Sequence, residues 1–345
     1  MWSRRSFVGA AGGLAAGLLA PAAPLLAGSG GKPPRLRPGD MVGLIEPAGF
    51  SDGPEQVEAA MATIRGMGLV PKAGRHVAAR YGYLAGSDAE RASDINEMFA
   101  DPDIRAVFAV RGGWGCARLL PLLDWEIIRA NPKLLIGYSD ITALHLAFAA
   151  KAGFATIHAP NAGNAWEKIS WESFWRLAFT AEAPFFQPPS AQETDPARPE
   201  RWNWKTITPG KAQGRLIGGN LSVLSALAGT PWLPDFDGAI LFLEDVGEAE
   251  YRIDRMLSQL SLAGLLAKLS GVIFGQCTNC AAGVPGYVGF TVPQLLEQYL
   301  APLGIPAFRG ANIGHVRNQL SLPVGARVEI DAGAGSIRVL EPITA

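Results

Sequence analysis

LLIGYSDITALH, residues 134–145, is an apolar run that ends in a glycine and passes into a helical pattern of apolar residues. This order predicts a strand, a sharp turn and a helix, with Ser139 on the turn. A serine there projects its hydroxyl beyond the end of a sheet, beside the N–H groups of a helix N-terminus, as a nucleophile requires. The second glycine of the usual nucleophile elbow is absent, so a plain helix cap made by Ser139 or Asp140 is the alternative.

Strands that alternate with helices organise the first half of the chain. Short apolar runs predict one strand beginning at residue 69 and others at 41–45, 106–110, 134–136 and 155–157. Helical spacing predicts helices at 57–67 and 88–99, the second capped by Ser87 or Asp88. The alternation predicts an α/β fold with a parallel sheet, in which binding groups gather at the carboxyl ends of the strands.

Unusual residues follow three of these strand ends. The run from Arg111 to Gly115 follows the third strand, Ser139 the fourth and His158 the fifth. The glycines of the first run let the backbone approach a ligand and direct N–H groups toward it, although a flexible turn has the same composition. A parallel sheet brings all three segments to one edge, which predicts a functional site there.

Size and charge restrict the class of function. The 345 residues, 48% of them hydrophobic, suffice for two domains, and a net charge of −1 gives no electrostatic reason to expect a nucleic-acid partner. Cys277 and Cys280 have the spacing of a metal or redox motif, but no second Cys or His pair accompanies them. We therefore expect two half-buried thiols or one disulfide there, and neither a metal nor a cofactor.

The first residues have the pattern of an export signal. Arg4 and Arg5 precede a glycine- and alanine-rich apolar run, which is typical of a twin-arginine signal peptide. We predict a signal peptide over 1–27, the twin-arginine export machinery as a partner and a periplasmic location. An uncleaved anchor is the alternative, but Pro21 and Pro24 interrupt the run.

The remainder divides into two units joined by a linker. We predict an N-terminal α/β domain over 38–187, a proline-rich linker over 188–212 and a β-rich C-terminal domain over 213–342. The ending alternates apolar and polar residues between glycines, which is typical of β-structure.

A nucleophilic serine needs a base, and the base needs an orienting carboxylate. Glu244 ends a predicted apolar strand, where an acid is costly unless it is paired, and His315 follows a glycine in a loop. Ser139, His315 and Glu244 thus supply the residue types of a triad. Spacing alone cannot bring them together, and His158 remains an alternative base.

Joint motifs over roughly residues 38–335 resemble the LD-carboxypeptidase family of serine peptidases, which includes the microcin C self-immunity peptidases. The segments that carry the resemblance are Gly82–Gly86, Val110–Gly115, Ile136–Leu144, Gly218–Leu221, Leu243–Glu248, Tyr251–Arg255, Gly314–His315 and Leu322–Gly325. The resemblance implies a flavodoxin-like N-terminal domain, a smaller β-rich C-terminal domain, a site between them and a homodimer.

The same resemblance implies a Ser-Glu-His triad. It places the nucleophile at Ser139, the base at His315 and the acid within Leu243–Glu248, where Glu244 is our choice and Glu248 the reserve. The implied oxyanion hole consists of backbone N–H groups, here those of Asp140 and of Gly113 or Gly112.

The implied substrate is a murein tetrapeptide, cut between the L-centre of its diamino acid and the terminal D-alanine. We expect Gly112, Trp114 and Tyr138 to bind it and Arg111 to clamp its terminal carboxylate, although a structural ion pair is equally consistent with Arg111. Familiar members act in the cytoplasm, whereas this chain has an export pattern, and their His-Gly-Pro is here His158-Ala159-Pro160.

Two other functions fit the same residues. One is an amide hydrolase of microcin-like or other peptide conjugates that uses the same triad. The other is a non-catalytic periplasmic protein that binds murein peptides in a cleft between two domains.

Overall fold

The computed structural model describes residues 31–188, 204–280 and 286–345. The signal peptide predicted over 1–27 lies outside these ranges. Among the helices that are described, none combines the length and the apolar character needed to cross a bilayer.

The elements alternate through most of the chain. The strands are β1 (Met41–Ile45), β2 (Val70–Ala73), β3 (Ile104–Ala109), β4 (Leu134–Gly137), β5 (Thr156–His158), β6 (Phe185–Phe186), β7 (Lys205–Thr208), β8 (Lys211–Asn220), β9 (Ile240–Val246), β10 (Gly271–Thr278), β11 (Ala307–Arg309), β12 (Leu322–Val324), β13 (Arg327–Asp331) and β14 (Ser336–Val339). The α-helices are α1 (Pro54–Gly66), α2 (Asp88–Ala100), α3 (Trp125–Ala130), α4 (Thr142–Lys151), α5 (Lys168–Ala178), α6 (Leu221–Ala226), α7 (Glu250–Leu262) and α8 (Val292–Leu300). Short 3₁₀ helices span Cys116–Leu122, Ser139–Ile141, Leu266–Lys268 and Ala301–Leu303.

The first sheet has the strand order β12-β5-β4-β3-β1-β2. Its strands β1 to β5 are parallel and lie in the order 2-1-3-4-5, which is that of flavodoxin-like folds. All of β4 is buried, because helices cover both faces of the sheet. The predicted parallel sheet and its flavodoxin-like order are confirmed.

The second sheet has the strand order β6-β14-β13-β8-β9-β10-β11-β7. Its central strands β8 to β11 are parallel, and antiparallel strands flank them on both sides. A β-rich second unit is therefore present, with α6 to α8 interspersed among its strands. This sheet carries Glu244 at the carboxyl end of β9.

The two sheets exchange strands, so the chain does not divide cleanly at the predicted linker. β12, from the C-terminal half, pairs with β5 in the first sheet, while β6 pairs with β14 in the second. The predicted linker 188–212 is wrong at its end, because Lys205–Thr208 pairs as β7 with β11 and β8 begins at Lys211. Its proline-rich part, 189–203, lies outside the described residues.

Local capping follows the sequence signals. Ser87 caps α2 by accepting from the Glu90 N–H, and the Glu90 carboxylate accepts from the Ser87 N–H. This capping box fixes the start of α2 and confirms Ser87, rather than Asp88, as the cap.

Candidate active site

Ser139 lies on a sharp turn between β4 and α4. Its φ is +66°, in the left-handed region that a non-glycine residue adopts at a cost of roughly 1–3 kcal/mol. The preceding residue is held in place, because the Tyr138 N–H donates to Asn161 Oδ1 at 3.1 Å. The turn therefore presents Ser139 at the carboxyl edge of the first sheet, as the sequence predicts.

A buried histidine fastens this turn from behind. His145 Nε2 lies 2.8 Å from the Gly137 carbonyl oxygen, so it donates, and Nδ1 lies 2.8 Å from the Thr156 hydroxyl. Burial lowers the pKa of His145 to about 4, so the ring is neutral at pH 7. His145 thus connects α4, the end of β4 and β5 without adding a charge.

His315 and Glu244 come from the second half of the chain and meet Ser139 at this edge. His315 Nε2 lies 3.0 Å from Ser139 Oγ, and His315 Nδ1 lies 2.7 Å from Glu244 Oε2. A carboxylate only accepts, so Nδ1 carries the proton and Nε2 is left to accept from the serine hydroxyl. These are the contacts of a serine, a general base and an orienting acid.

Glycine is required beside the acid. Gly314 has a φ of +104°, and a Cβ there would lie 2.4 Å from Glu244 Oε2. Glu244 itself is fully buried, so its position depends on this close packing and on the hydrogen bond to His315. The Gly314-His315 pair thereby fixes the base against the acid.

Neither of the alternatives left open by the sequence, Glu248 as the acid and His158 as the base, takes part in this chain of contacts. Glu248 accepts from the Ser222 hydroxyl at 3.3 Å and lies 3.6 Å from an Arg252 guanidinium nitrogen, whereas the acid bonded to His315 is Glu244. His158 is fully buried, and neither ring nitrogen has a hydrogen-bond partner among the described residues. Burial lowers the pKa of His158 well below its usual value, so it is a neutral packing residue.

An aromatic ring packs against the base. The Tyr138 and His315 rings lie 4.8 Å apart, and His158 lies edge-on to Tyr138 at 6.0 Å. Burial and the nearby Glu244 carboxylate raise the pKa of Tyr138 to about 12, so its phenol remains protonated. Tyr138 therefore limits the movement of the His315 ring and lines the adjoining cavity.

The glycine-rich loop after β3 lies directly against the serine. A Cβ on Gly112 would come within 2.9 Å of Ser139 Cβ, so only glycine fits. The Gly112 carbonyl accepts from the Gly49 N–H at 3.3 Å. The Gly113 N–H belongs to the same trans peptide unit, so it points away from Gly49. Within the described ranges, the N–H groups of Gly113 and Asp140 donate to no backbone acceptor. This leaves both N–H groups as the candidate donors of the predicted oxyanion hole.

A cavity of about 420 Å³ opens beside Ser139 and His315. Arg111 is the cation in its described lining. Arg111 Nη1 donates to the Phe50 carbonyl at 2.6 Å, so within the described ranges a backbone contact, and not an ion pair, holds the guanidinium. Trp114, which the sequence analysis expected to bind the substrate, is 46% exposed and does not line this cavity.

Sequence reasoning missed three polar residues of the lining, namely Ser51, Gln56 and Asn164. Ser51 and Asn164 lie in the segments that follow β1 and β5, at the same edge of the sheet as Ser139, and this position is the signal that would have found them. Gln56 lies in α1 and gave no such signal.

The three cysteines are a disulfide pair and a free thiol. Cys277 and Cys280 form a disulfide, one of the two possibilities left open by their spacing. Cys116 is a buried free thiol. Among the described residues, no group of three or more His, Cys, Asp or Glu side chains is arranged to hold a metal ion.

Comparisons with known proteins agree with this architecture. Residues 42–159 match the LD-carboxypeptidase N-terminal domain, and residues 213–330 match the LD-carboxypeptidase C-terminal domain. A probable murein peptide carboxypeptidase of Bacillus subtilis is 37% identical over 87% of this chain and 91% of its own length. A murein tetrapeptide carboxypeptidase of Pseudomonas aeruginosa is 35% identical over 82% of this chain and 91% of its own length.

A solved structure shares the whole fold. MccF in complex with glutamyl sulfamoyl guanosine overlays with a TM-score of 0.81 at 27% identity, covering 91% of this chain and 99% of that one. MccF of Escherichia coli is a microcin C7 self-immunity protein. With both family domains matched in order, this chain belongs to the LD-carboxypeptidase family and is a peptide hydrolase.

Proposed function

We propose that this protein is a serine carboxypeptidase that releases the terminal D-alanine from murein tetrapeptides through an acyl-enzyme. The observation that carries the proposal is the continuous chain of contacts from Ser139 through His315 to Glu244 at the wall of a cavity. The similarity to carboxypeptidases named for murein peptides supports the choice of substrate.

The proposed chemistry starts with proton transfer. His315 Nε2 takes the Ser139 proton as the oxygen attacks the amide carbonyl, and Glu244 stabilises the imidazolium that forms. The N–H groups of Gly113 and Asp140 hold the oxyanion, each donor being worth roughly 3–4 kcal/mol in enzymes of this type. His315 then protonates the leaving D-alanine nitrogen, and water, deprotonated by His315, hydrolyses the ester.

Selection for a terminal residue requires recognition of its carboxylate. Arg111 supplies a cation in the lining of the cavity, and its contact with the Phe50 carbonyl leaves other guanidinium N–H groups available. Guanidinium is suited to bidentate binding of a carboxylate. We therefore assign Arg111 to the terminal carboxylate, with Gly112 and Tyr138 beside it.

Location and assembly are part of the same proposal. The paired Arg4 and Arg5 support export by the twin-arginine machinery, which would place the enzyme in the periplasm beside its murein substrate. A homodimer is expected by analogy with the family. Fractionation of the native host and light scattering of the purified protein test these two points.

The direct test is incubation of the purified protein with a murein tetrapeptide, followed by mass spectrometry. We expect a tripeptide and free D-alanine from the wild type and a release at least 10³-fold slower from Ser139→Ala. Equal product from the two proteins would contradict the proposal. Binding of an intact tetrapeptide by the wild type without cleavage would favour the non-catalytic binding protein.

A second candidate is hydrolysis of peptidyl-nucleotide conjugates. The overlay with MccF bound to glutamyl sulfamoyl guanosine favours it. Comparing kcat/KM on an aminoacyl sulfamoyl nucleoside and on a tetrapeptide separates the two candidates. We expect the tetrapeptide to be preferred at least tenfold, and the reverse preference would support the second candidate.

A further inference from the structure

Asp140 immediately follows the nucleophile and is buried, with 1% of its surface exposed. Its Oδ2 accepts from the Cys116 N–H at 2.8 Å, whereas Oδ1 has no hydrogen-bond partner among the described residues. A buried, half-satisfied carboxyl is costly, so its position calls for an explanation beyond packing.

The partner of Asp140 lies at the end of the glycine-rich loop. Cys116 begins the 3₁₀ helix Cys116–Leu122, where N–H groups lack partners within the helix. Asp140 satisfies one of these N–H groups from across the site. The bond therefore joins the turn that carries Ser139 to the loop that carries Gly113.

Other contacts hold this loop to different parts of the protein. The Gly112 carbonyl is bonded to the Gly49 N–H, and the buried Arg91 guanidinium donates to the carbonyls of Gly115 and Pro47. These contacts attach the loop to the segment after β1 and to α2. Of the hydrogen bonds that the described residues make with this loop and with Cys116 at its end, the Asp140–Cys116 bond is the one that reaches the nucleophile turn.

We infer that the Asp140 side chain is a positioning residue that sets the spacing of the two oxyanion donors. The inference rests on the proposed function, in which one donor is the Asp140 N–H and the other the Gly113 N–H. Two donors on separate segments must both lie about 2.7–3.1 Å from one developing oxyanion. Asp140 supplies one donor with its backbone and locates the other through its side chain.

Substitution at Asp140 tests this role through the split between kcat and KM. Asp140→Ala removes the acceptor, and we expect kcat to fall about 10- to 100-fold with KM within threefold of wild type, since small misplacements cost about this much. Asp140→Asn keeps an acceptor oxygen for the Cys116 N–H and should recover kcat to within about fivefold of wild type.

A matched control separates positioning from loss of stability. Asp94 is also a buried acid, and it accepts from the His76 N–H at 3.0 Å, outside the described lining of the cavity. We expect Asp94→Ala to lower the melting temperature and to leave kcat within twofold of wild type. If Asp140→Ala does not fold, Asp140→Ser replaces it in the experiment. The serine side chain is one bond shorter than that of aspartate, so its oxygen does not reach the Cys116 N–H.

A second readout keeps the inference independent of the peptide substrate. A fluorophosphonate probe phosphonylates an active serine: the serine oxygen bonds to phosphorus, fluoride leaves and the base takes the hydroxyl proton. The rate of this reaction depends on the oxyanion hole. We expect the labelling rate of Ser139 to fall at least tenfold in Asp140→Ala and to recover in Asp140→Asn, even if no tetrapeptide is cleaved. Labelling at the wild-type rate in Asp140→Ala, or a loss confined to KM, would overturn the inference.

Discussion

At the scale of single residues, the orienting acid can be distinguished from its reserve. Glu244 accepts from His315 Nδ1–H, so Glu244→Gln replaces an obligatory acceptor by a group that can also donate and thereby favours the wrong tautomer of His315. We expect kcat to fall by about 10³–10⁴ with little change in KM, as measured by steady-state release of D-alanine.

Glu248 provides the matched control, because it carries the same side chain four residues later and does not contact His315. Glu248→Gln should leave kcat within threefold of wild type. A loss of activity at Glu248 with activity retained at Glu244 would reverse the assignment.

Gly314 is a second position where one atom decides the outcome. A Cβ would approach Glu244 Oε2 to 2.4 Å at a φ of +104°, so Gly314→Ala should displace the acid and lower kcat at least 100-fold. Gly264→Ala is the control, since Gly264 also has a positive φ, +70°, but its Cβ would enter open space. We expect the control to lose some thermal stability and to keep its kcat; similar kcat values in the two variants would contradict this account.

At the scale of elements, the end of β4 and the start of α4 depend on a neutral histidine. The pKa of His145 is about 4 in the folded protein and 6.5 in the unfolded chain, so the unfolded chain binds more protons between these values. The stability that depends on the neutral His145 ring is fully present above pH 6.5 and is lost as the pH falls from 6.5 through 4. The total change is about 3 kcal/mol at 1.36 kcal/mol per pH unit.

This linkage is measured by urea unfolding at pH 7.0 and 4.5 for the wild type and His145→Gln. We expect the variant to be less stable at pH 7.0 and to lose less stability on acidification than the wild type. His158 is also neutral and buried, so it contributes with the same sign and remains in both proteins. Identical losses in the two proteins would contradict the role assigned to His145.

The elements differ in how far the sequence determines them. Residues 106–110 and 134–136 are continuous apolar runs between helical patterns, so the parallel sheet and the turn at Ser139 follow from local periodicity. β7 was missed because Lys205–Thr208 is short and gains its place only through pairing with β11. Likewise, the proximity of Glu244 and His315 depends on long-range packing, and sequence supplied only the residue types and the family resemblance.

At the scale of the whole molecule, the exchanged strands make the two halves interdependent. β12 completes the first sheet from the C-terminal half, and one core cluster contains residues of both halves, including Leu144 and Ile217. We expect calorimetry to show one cooperative unfolding transition and a fragment covering 31–187 to be unfolded on its own. Two resolved transitions would indicate independent domains.

The same interdependence explains why the site has its position. Ser139 is carried by the first sheet, whereas Glu244 ends a strand of the second and His315 lies between β11 and β12. Catalysis by these groups therefore requires both sheets to be assembled.

The most direct measurement of that central claim is a multiple-substitution cycle on kcat for tetrapeptide hydrolysis. Groups that act as a unit have non-additive effects, so Ser139→Ala should reduce kcat about as much as the triple variant with His315→Ala and Glu244→Ala. We predict that the two added substitutions cost less than tenfold in the Ser139→Ala background, although each alone costs at least 10³-fold in the wild type. Additive losses, or substantial activity in Ser139→Ala, would contradict the account.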